Sequence, residues 1–260
     1  MSKTVTFEMI DSHIGMLKLN RPEAANALSK EMLKEFLQTL EEVKNRSDIR
    51  CLILTGEGEK AFCAGADLKE RKGMNDREVI QTVQQIGDVV KKVEALPFPV
   101  VAMIQGVAFG GGLELALGCD FRVMSTDAKV GLTETSLGII PGAGGTQRLS
   151  RLIGAGKAKW MILSAKRLNA QESYHYGVTE FISEPEGLYE RTLQIAKQIS
   201  QNGPIAVRLA KQAIDQGIEL SLEQGLNIEH TFYKKTIGTK DRLEGLQAFQ
   251  EKRSPVYKGE

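Results

Sequence analysis

A chain of 260 residues and 28.6 kDa has room for one large domain with a buried core and a cleft, since single cores stop growing near ~250–300 residues. Its 42 % hydrophobic and 26 % charged residues are ordinary for globular proteins, and 34 basic against 33 acidic side chains leave a formal charge of +1, which argues against disorder, collagen and strongly basic nucleic-acid arms. Apolar stretches are all shorter than the ~18–20 residues of a membrane span, the N-terminus lacks a signal peptide's apolar centre, and Cys51, Cys63 and Cys119 form no CxxC pair; a soluble, cytoplasmic protein with reduced thiols is expected.

In chain order, Val5-Phe7-Met9 and Ile14-Met16-Leu17-Leu19 alternate on either side of Asp11-Ser12, which predicts a hairpin. From Ser29 to about Asn45, apolar residues recur at i, i+3, i+4 with Ser29 as candidate N-cap, predicting a helix. The run Arg50-Cys51-Leu52-Ile53-Leu54-Thr55-Gly56 reads as a strand buried on both faces. A helix is predicted around Val79–Leu96, a buried strand over Phe98–Ile104, a short apolar helix opened by Gly110-Gly111-Gly112, and a strand over Asp120–Met124. Strand and helix alternating at this spacing indicate an α/β domain with crossover connections. From Glu186 the pattern changes to amphipathic helices over Leu188–Ser200, Pro204–Gln216, Ser221–Lys235 and Lys240–Lys252, each entered through Gly, Pro, Ser or Thr.

Several chemistries lack their parts. Gly56-Glu57-Gly58-Glu59-Lys60-Ala61 matches GxGxxA after a strand, but another glycine follows within four residues of Ala61 and two carboxylates sit where a pyrophosphate would lie. Gly142-Ala143-Gly144-Gly145-Thr146-Gln147 has no GK[ST]. His13, His175 and His230 are not spaced as a metal pair, and no GxSxG is present; no metal site and no hydrolytic triad is expected. Two small-residue turns carry more: Cys63-Ala64-Gly65-Ala66-Asp67-Leu68 and Gly110-Gly111-Gly112-Leu113-Glu114-Leu115. Each offers free N–H groups where backbone can approach a ligand, and two together would make an oxyanion hole. Glu114, flanked by Leu113, Leu115, Ala116 and Leu117, is a carboxylate in an apolar helix, and Glu134 lies twenty residues on in a polar turn. Such a pair suits acid and base work on a carbonyl compound, although their meeting cannot be read from the sequence.

The set Ala61–Leu68, Gly106–Leu115, then Glu134 with Pro141-Gly142-Ala143-Gly144-Gly145-Thr146-Gln147-Arg148-Leu149 resembles the enoyl-CoA hydratase (crotonase) family, from Leu19-Asn20-Arg21-Pro22 to Phe249-Gln250-Glu251-Lys252-Arg253. The resemblance implies a crotonase-like spiral of ββα units over residues 1–185 and a C-terminal helical region, 186–260, for trimers or dimers of trimers. It implies that the N–H groups of Ala66 and Gly111 hold a thioester oxygen, that Glu114 activates water and that Glu134 protonates the α-carbon. Coenzyme A, part of the substrate rather than a cofactor, would pass Arg21 to Ala25 and Ala64, Asp67 and Leu68; Gly142 would shape the pocket floor, and Phe249 and Lys252 would reach the nucleotide end. Possession of both glutamates favours a hydratase over an isomerase. The stretches Gly65–Arg71, Thr239–Leu246 and Tyr257–Glu260 look most similar to methylglutaconyl-CoA hydratases of leucine breakdown, where Lys69, Arg71 or Lys72 would meet the substrate's second carboxylate. Relatives that bind RNA carry a lysine row on the first helix; here Lys30 and Lys34 are followed by Gln38 and Glu41, so RNA binding is not expected.

Overall fold

A computed structural model describes residues 3–260. The hairpin forms as β1 (Val5–Asp11) and β2 (Ile14–Leu19), followed by α1 (Lys30–Lys44), whose N-cap Ser29 accepts from the Met32 N–H. Three turns of a spiral follow. The first holds β3 (Cys51–Gly56), β4 (Ala61–Cys63), the short α2 (Leu68–Arg71) and α3 (Asp76–Glu94). The second holds β5 (Val100–Ile104), β6 (Val107–Phe109) and α4 (Gly111–Leu117). The third holds β7 (Phe121–Ser125), β8 (Lys129–Gly131), a 3₁₀ turn at Glu134–Leu137, α5 (Gly145–Ile153) and α6 (Ala155–Leu163). Then come β9 (Leu168–Asn169), α7 (Ala170–Tyr176) and β10 (Phe181–Ser183). The chain closes with α8 (Leu188–Ser200), α9 (Pro204–Gly217), α10 (Leu222–Ile237) and α11 (Lys240–Glu251).

Each turn of the spiral gives one strand to each of two sheets. The six-stranded sheet has the order β1-β2-β3-β5-β7-β10 and the four-stranded one β4-β6-β8-β9. Pairing is parallel from β2 through β10 and along β4-β6-β8, while β1 and β9 run antiparallel to their neighbours. The continuous apolar strands have a simple cause. Alternate side chains point to opposite faces: Leu52 and Leu54 of β3 join the main core with Phe36, Val89 and Leu113, whereas Cys51 and Ile53 join a second cluster under Leu188, Ile195 and Ala196 of α8. Both faces are therefore buried, as the sequence predicts. Helix α8 seals the outer face, so the helical stretch beginning at residue 186 shares its first helix with the sheet core.

Differences from expectation are local. Helix α3 starts earlier than Val79 because Asn75 and Glu78 form a reciprocal capping box. Strand β5 starts later than Phe98 because Pro99 has no N–H to give to the ladder. After the glycines at 56 and 58 the chain enters β4 rather than a helix, which removes the structural context of a dinucleotide site. Among the described residues no helix is long and apolar enough to cross a membrane.

Candidate active site

A cleft of about 760 Å³ opens between α2 and α3 on one side and the 3₁₀ turn with the loop before α5 on the other. The start of α4 forms its inner wall. Glu114, in the first turn of α4, is only 3 % exposed. Its carboxylate is not unpaired: Oε1 accepts from the N–H groups of Ala143 and Gly145, each at 2.8 Å. Burial pushes its pKa above the usual carboxylate range, while those two donors and the charge of Arg148 pull the other way. Gly145 leaves no room for a side chain: a Cβ there would stand 2.8 Å from Leu132 Cδ1 and 3.0 Å from Oε1 and Cγ of Glu114.

Glu134 sits across the cleft at the start of the 3₁₀ turn. Its Oε2 is buried without a hydrogen-bond partner among the described residues. Burial, with a further push from the Glu114 charge, raises its pKa to about 7. Two carboxyl groups thus share one cleft: burial raises both pKa values, Glu114 Oε1 is held by two backbone donors, and Glu134 Oε2 has none among the described residues.

Two turns bring a pair of backbone N–H groups together. Gly65 (φ +96°) and Gly110 (φ +51°) adopt backbone that side-chain-bearing residues avoid. A Cβ on Gly65 would lie 3.3 Å from the Gly111 nitrogen, and one on Gly111 would lie 3.7 Å from the Ala66 nitrogen. The Ala66 and Gly111 N–H groups are therefore neighbours on the cleft wall, and neither donates to an acceptor among the described residues. Free adjacent donors in a water-poor cleft can hold a developing oxyanion.

The remaining residues singled out from the sequence divide by location. Ala64, Leu68 and Gly142 line the same cleft. Arg21 and Asp67 stand beside it as a pair: the guanidinium donates to Asp67 Oδ2 at 3.0 Å and to the Ala27 carbonyl at 2.8 Å, while Asp67 Oδ1 accepts from the N–H groups of Lys69 and Glu70. Burial opposes the Asp67 charge, yet these donors hold its carboxyl below the usual range. Together they lock the loop from Arg21, through Ala25 in left-handed backbone, against the start of α2. Phe249, 85 % exposed, and Lys252 lie on and just after α11, away from the cleft lining of their own chain. Of the three candidate cations after Asp67, Arg71 lines the cleft and Lys69 and Lys72 do not.

Some lining residues had no individual signal in the sequence. Val79, Val83 and Ile86 look like an ordinary helical stripe, yet this part of α3 faces the cleft. Arg167, just before β9, also lines it and lies 4.8 Å from the centre of the Phe109 ring. The N–H groups of Ala143 and Gly145 could have been suspected only from the glycine content of their loop.

Comparison with known proteins agrees with this geometry. The family profile described as enoyl-CoA hydratase/isomerase matches residues 9–260. The Bacillus subtilis (strain 168) protein YngF, which bears that general name, is 53 % identical over 259 residues, covering 100 % of both chains. The mitochondrial methylglutaconyl-CoA hydratase of Mus musculus is 48 % identical over 251 residues, covering 95 % of this chain and 80 % of that one. A crystal structure of enoyl-CoA hydratase from Bacillus anthracis superposes with a TM-score of 0.98 at 52 % identity, over 99 % of this chain and 100 % of that one. With a two-sheet spiral of ββα turns, paired N–H donors and two glutamates on one cleft, the chain belongs to the enoyl-CoA hydratase/isomerase family.

Proposed function

We propose that this family member is a hydratase, adding water across the 2,3 double bond of an enoyl-CoA thioester. The observation that carries the reading is the opposed setting of Glu114 and Glu134 across one cleft. Glu114, with Oε1 held by two N–H groups, takes in its ionised form a proton from water through Oε2 while the water oxygen bonds to C3. The π electrons move onto the thioester oxygen, where the Ala66 and Gly111 N–H groups hold the enolate. Glu134, protonated near neutral pH, then gives its proton to C2 as the carbonyl re-forms. Atoms balance as one water added, and proton exchange with solvent resets the pair. Coenzyme A enters as part of the substrate, along Ala64 and Leu68, and the chemistry calls for no resident cofactor.

The substrate we propose is 3-methylglutaconyl-CoA, which would place the protein in leucine breakdown in the cytoplasm. Two features support this. The mouse relative carries that activity in its name, and Arg71 lines the cleft, as Arg167 does, without an ion-pair partner among the described residues. A second carboxylate on the acyl group needs such a cation, whereas a plain alkyl tail does not.

Hydration of 3-methylglutaconyl-CoA, crotonyl-CoA and a medium-chain enoyl-CoA by the purified protein tests both levels. The wild type is expected to prefer the first. Glu114→Gln and Glu134→Gln are each expected to lose about 10²–10⁴-fold in kcat on it. Arg71→Met is expected to lower kcat/KM tenfold or more for the dicarboxylate alone, on the order of the ~1.5–3 kcal/mol of a charged hydrogen bond. Double-bond migration without hydration would replace hydratase by isomerase. Equal losses on all substrates in Arg71→Met would remove the carboxylate argument.

A further inference from the structure

We infer that Arg148 is a positioning residue for Glu114, fixing the loop whose N–H groups hold this carboxylate on the cleft. The inference rests on Glu114 acting as the base. Arg148 lies in the first turns of α5 and spends its planar fork on two tasks at once. Nε and Nη2 grip the Glu94 carboxylate at the end of α3, at 3.0 and 2.6 Å, and Nη1 donates to the Ala143 carbonyl at 3.2 Å.

The same Ala143 residue uses its N–H to hold Glu114. Ala143 is therefore pinned from both of its polar groups, one by a charged donor and one by the carboxylate it serves. Gly144 permits the arrangement: it has φ +106°, and a Cβ there would overlap the Arg148 guanidinium. Arg148 is mostly covered, at 19 % side-chain exposure, whereas Glu94 is half exposed at 47 %. The pair is an anchor reaching inward from the surface rather than a surface decoration.

The charges that bear on Glu114 are few. Burial raises the cost of its ionisation, and Glu134, which feels the Glu114 charge, faces it across the cleft. Arg148, from α5, opposes that cost along with the Ala143 and Gly145 donors. Helix α3 contributes Glu94, already committed to Arg148; β4 contributes only the Cys63 thiol, kept neutral by burial with a pKa of about 12; and β6 carries no charge. Removing Arg148 takes away a cation and loosens a donor together, and both changes favour protonated Glu114.

The test uses the full-length protein with Arg148→Met, Arg148→Lys and Glu94→Ala. Two readouts are followed with pH: kcat/KM for the preferred enoyl-CoA, and the ¹³C carboxyl resonance of labelled Glu114, assigned by its loss in Glu114→Gln. Arg148→Met is expected to move the acidic limb and the resonance midpoint upward by about 0.5–1 pH unit, and to lower kcat at least tenfold with KM changed less than about threefold. Arg148→Lys restores the charge but not the fork; the limb returns toward wild type while part of the kcat loss remains. Glu94→Ala keeps the cation but removes its anion and frees the fork: the limb and the resonance midpoint are expected to move downward, by less, while kcat falls as in Arg148→Met, and this variant carries the test if Arg148→Met does not fold. Folded variants in which limb and resonance superimpose on wild type would overturn the inference while leaving the base assignment intact. A fully active Glu114→Gln would remove the base assignment itself.

Discussion

Glu134 is the residue at which chemistry and stability meet. Its pKa of about 7, set by burial and the nearby Glu114 charge, exceeds the value of an unfolded glutamate, so the folded state prefers the proton. The resulting stabilisation is complete below the unfolded pKa near 4.5 and is lost as pH rises through about 7. At pH 8–9 the folded protein must hold an anion with no donor on Oε2. Glu134→Gln is therefore expected to raise Tm at pH 8–9, with the gain vanishing toward pH 5, although activity is lost. Thermal melts across pH check this; a gain largest at pH 5 would reverse the argument. Glu114 shows the complementary case. Its presence among Leu113, Leu115 and Ala116 marks it in the sequence as a carboxylate needing partners, but those partners lie 29 and 31 residues away and no local pattern points to them.

At the scale of elements, α4 shows why glycine is required beyond its turn. Gly112 lies in the first turn of α4, against β4, and a Cβ there would overlap the Cys63 carbonyl. Replacing a helical glycine by alanine ordinarily stabilises by roughly 0.5–1 kcal/mol. Here the clash with buried backbone costs about 1–3 kcal/mol, so the sign reverses. Gly112→Ala is expected to lower stability and to reduce kcat by displacing Gly111 and Glu114 together; denaturant unfolding with parallel assays checks it, and a more stable, fully active variant would contradict it. Long periodic elements such as α1, α3 and the C-terminal helices are legible because their apolar faces repeat over several turns. The short strands β4, β6, β8 and β9 carry too few residues for a period to emerge; spiral neighbours define them.

For the whole molecule, the C-terminal helices leave large apolar side chains uncovered: Ile214 is 65 % exposed, Ile218 75 %, Leu222 80 % and Phe249 85 %. A second, mainly apolar cavity of about 630 Å³ lies among α9, α10 and α11. Apolar surface on this scale is costly in water and is ordinarily covered by a partner. We propose that copies of this chain cover it, in a homotrimer or a dimer of trimers, and that Phe249 and Lys252 then reach the coenzyme A of a neighbouring copy. Light scattering on a sizing column is expected to give three or six times the chain mass. Ile214→Glu with Ile218→Glu is expected to yield smaller species with unchanged helical content. A wild-type monomer at micromolar concentration would exclude this assembly.

The sequence by itself determined the α/β class, the hairpin, the doubly buried strands, the helical C-terminal stretch and both glutamates. Each is written in local terms: a period of two or 3.6, a cap, a glycine turn, or a charge in an apolar setting. Through its ordered motifs it also pointed to the family. Tertiary structure alone decided that Glu114 is held by Ala143 and Gly145, that Arg71 rather than Lys69 or Lys72 faces the cleft, that Arg167 joins it, and that Arg21 and Asp67 lock a loop. Those are contacts across 29 residues or more of chain, or choices among adjacent side chains on a short helix. Their geometry depends on how successive spiral turns stack, and stacking leaves no period in the sequence.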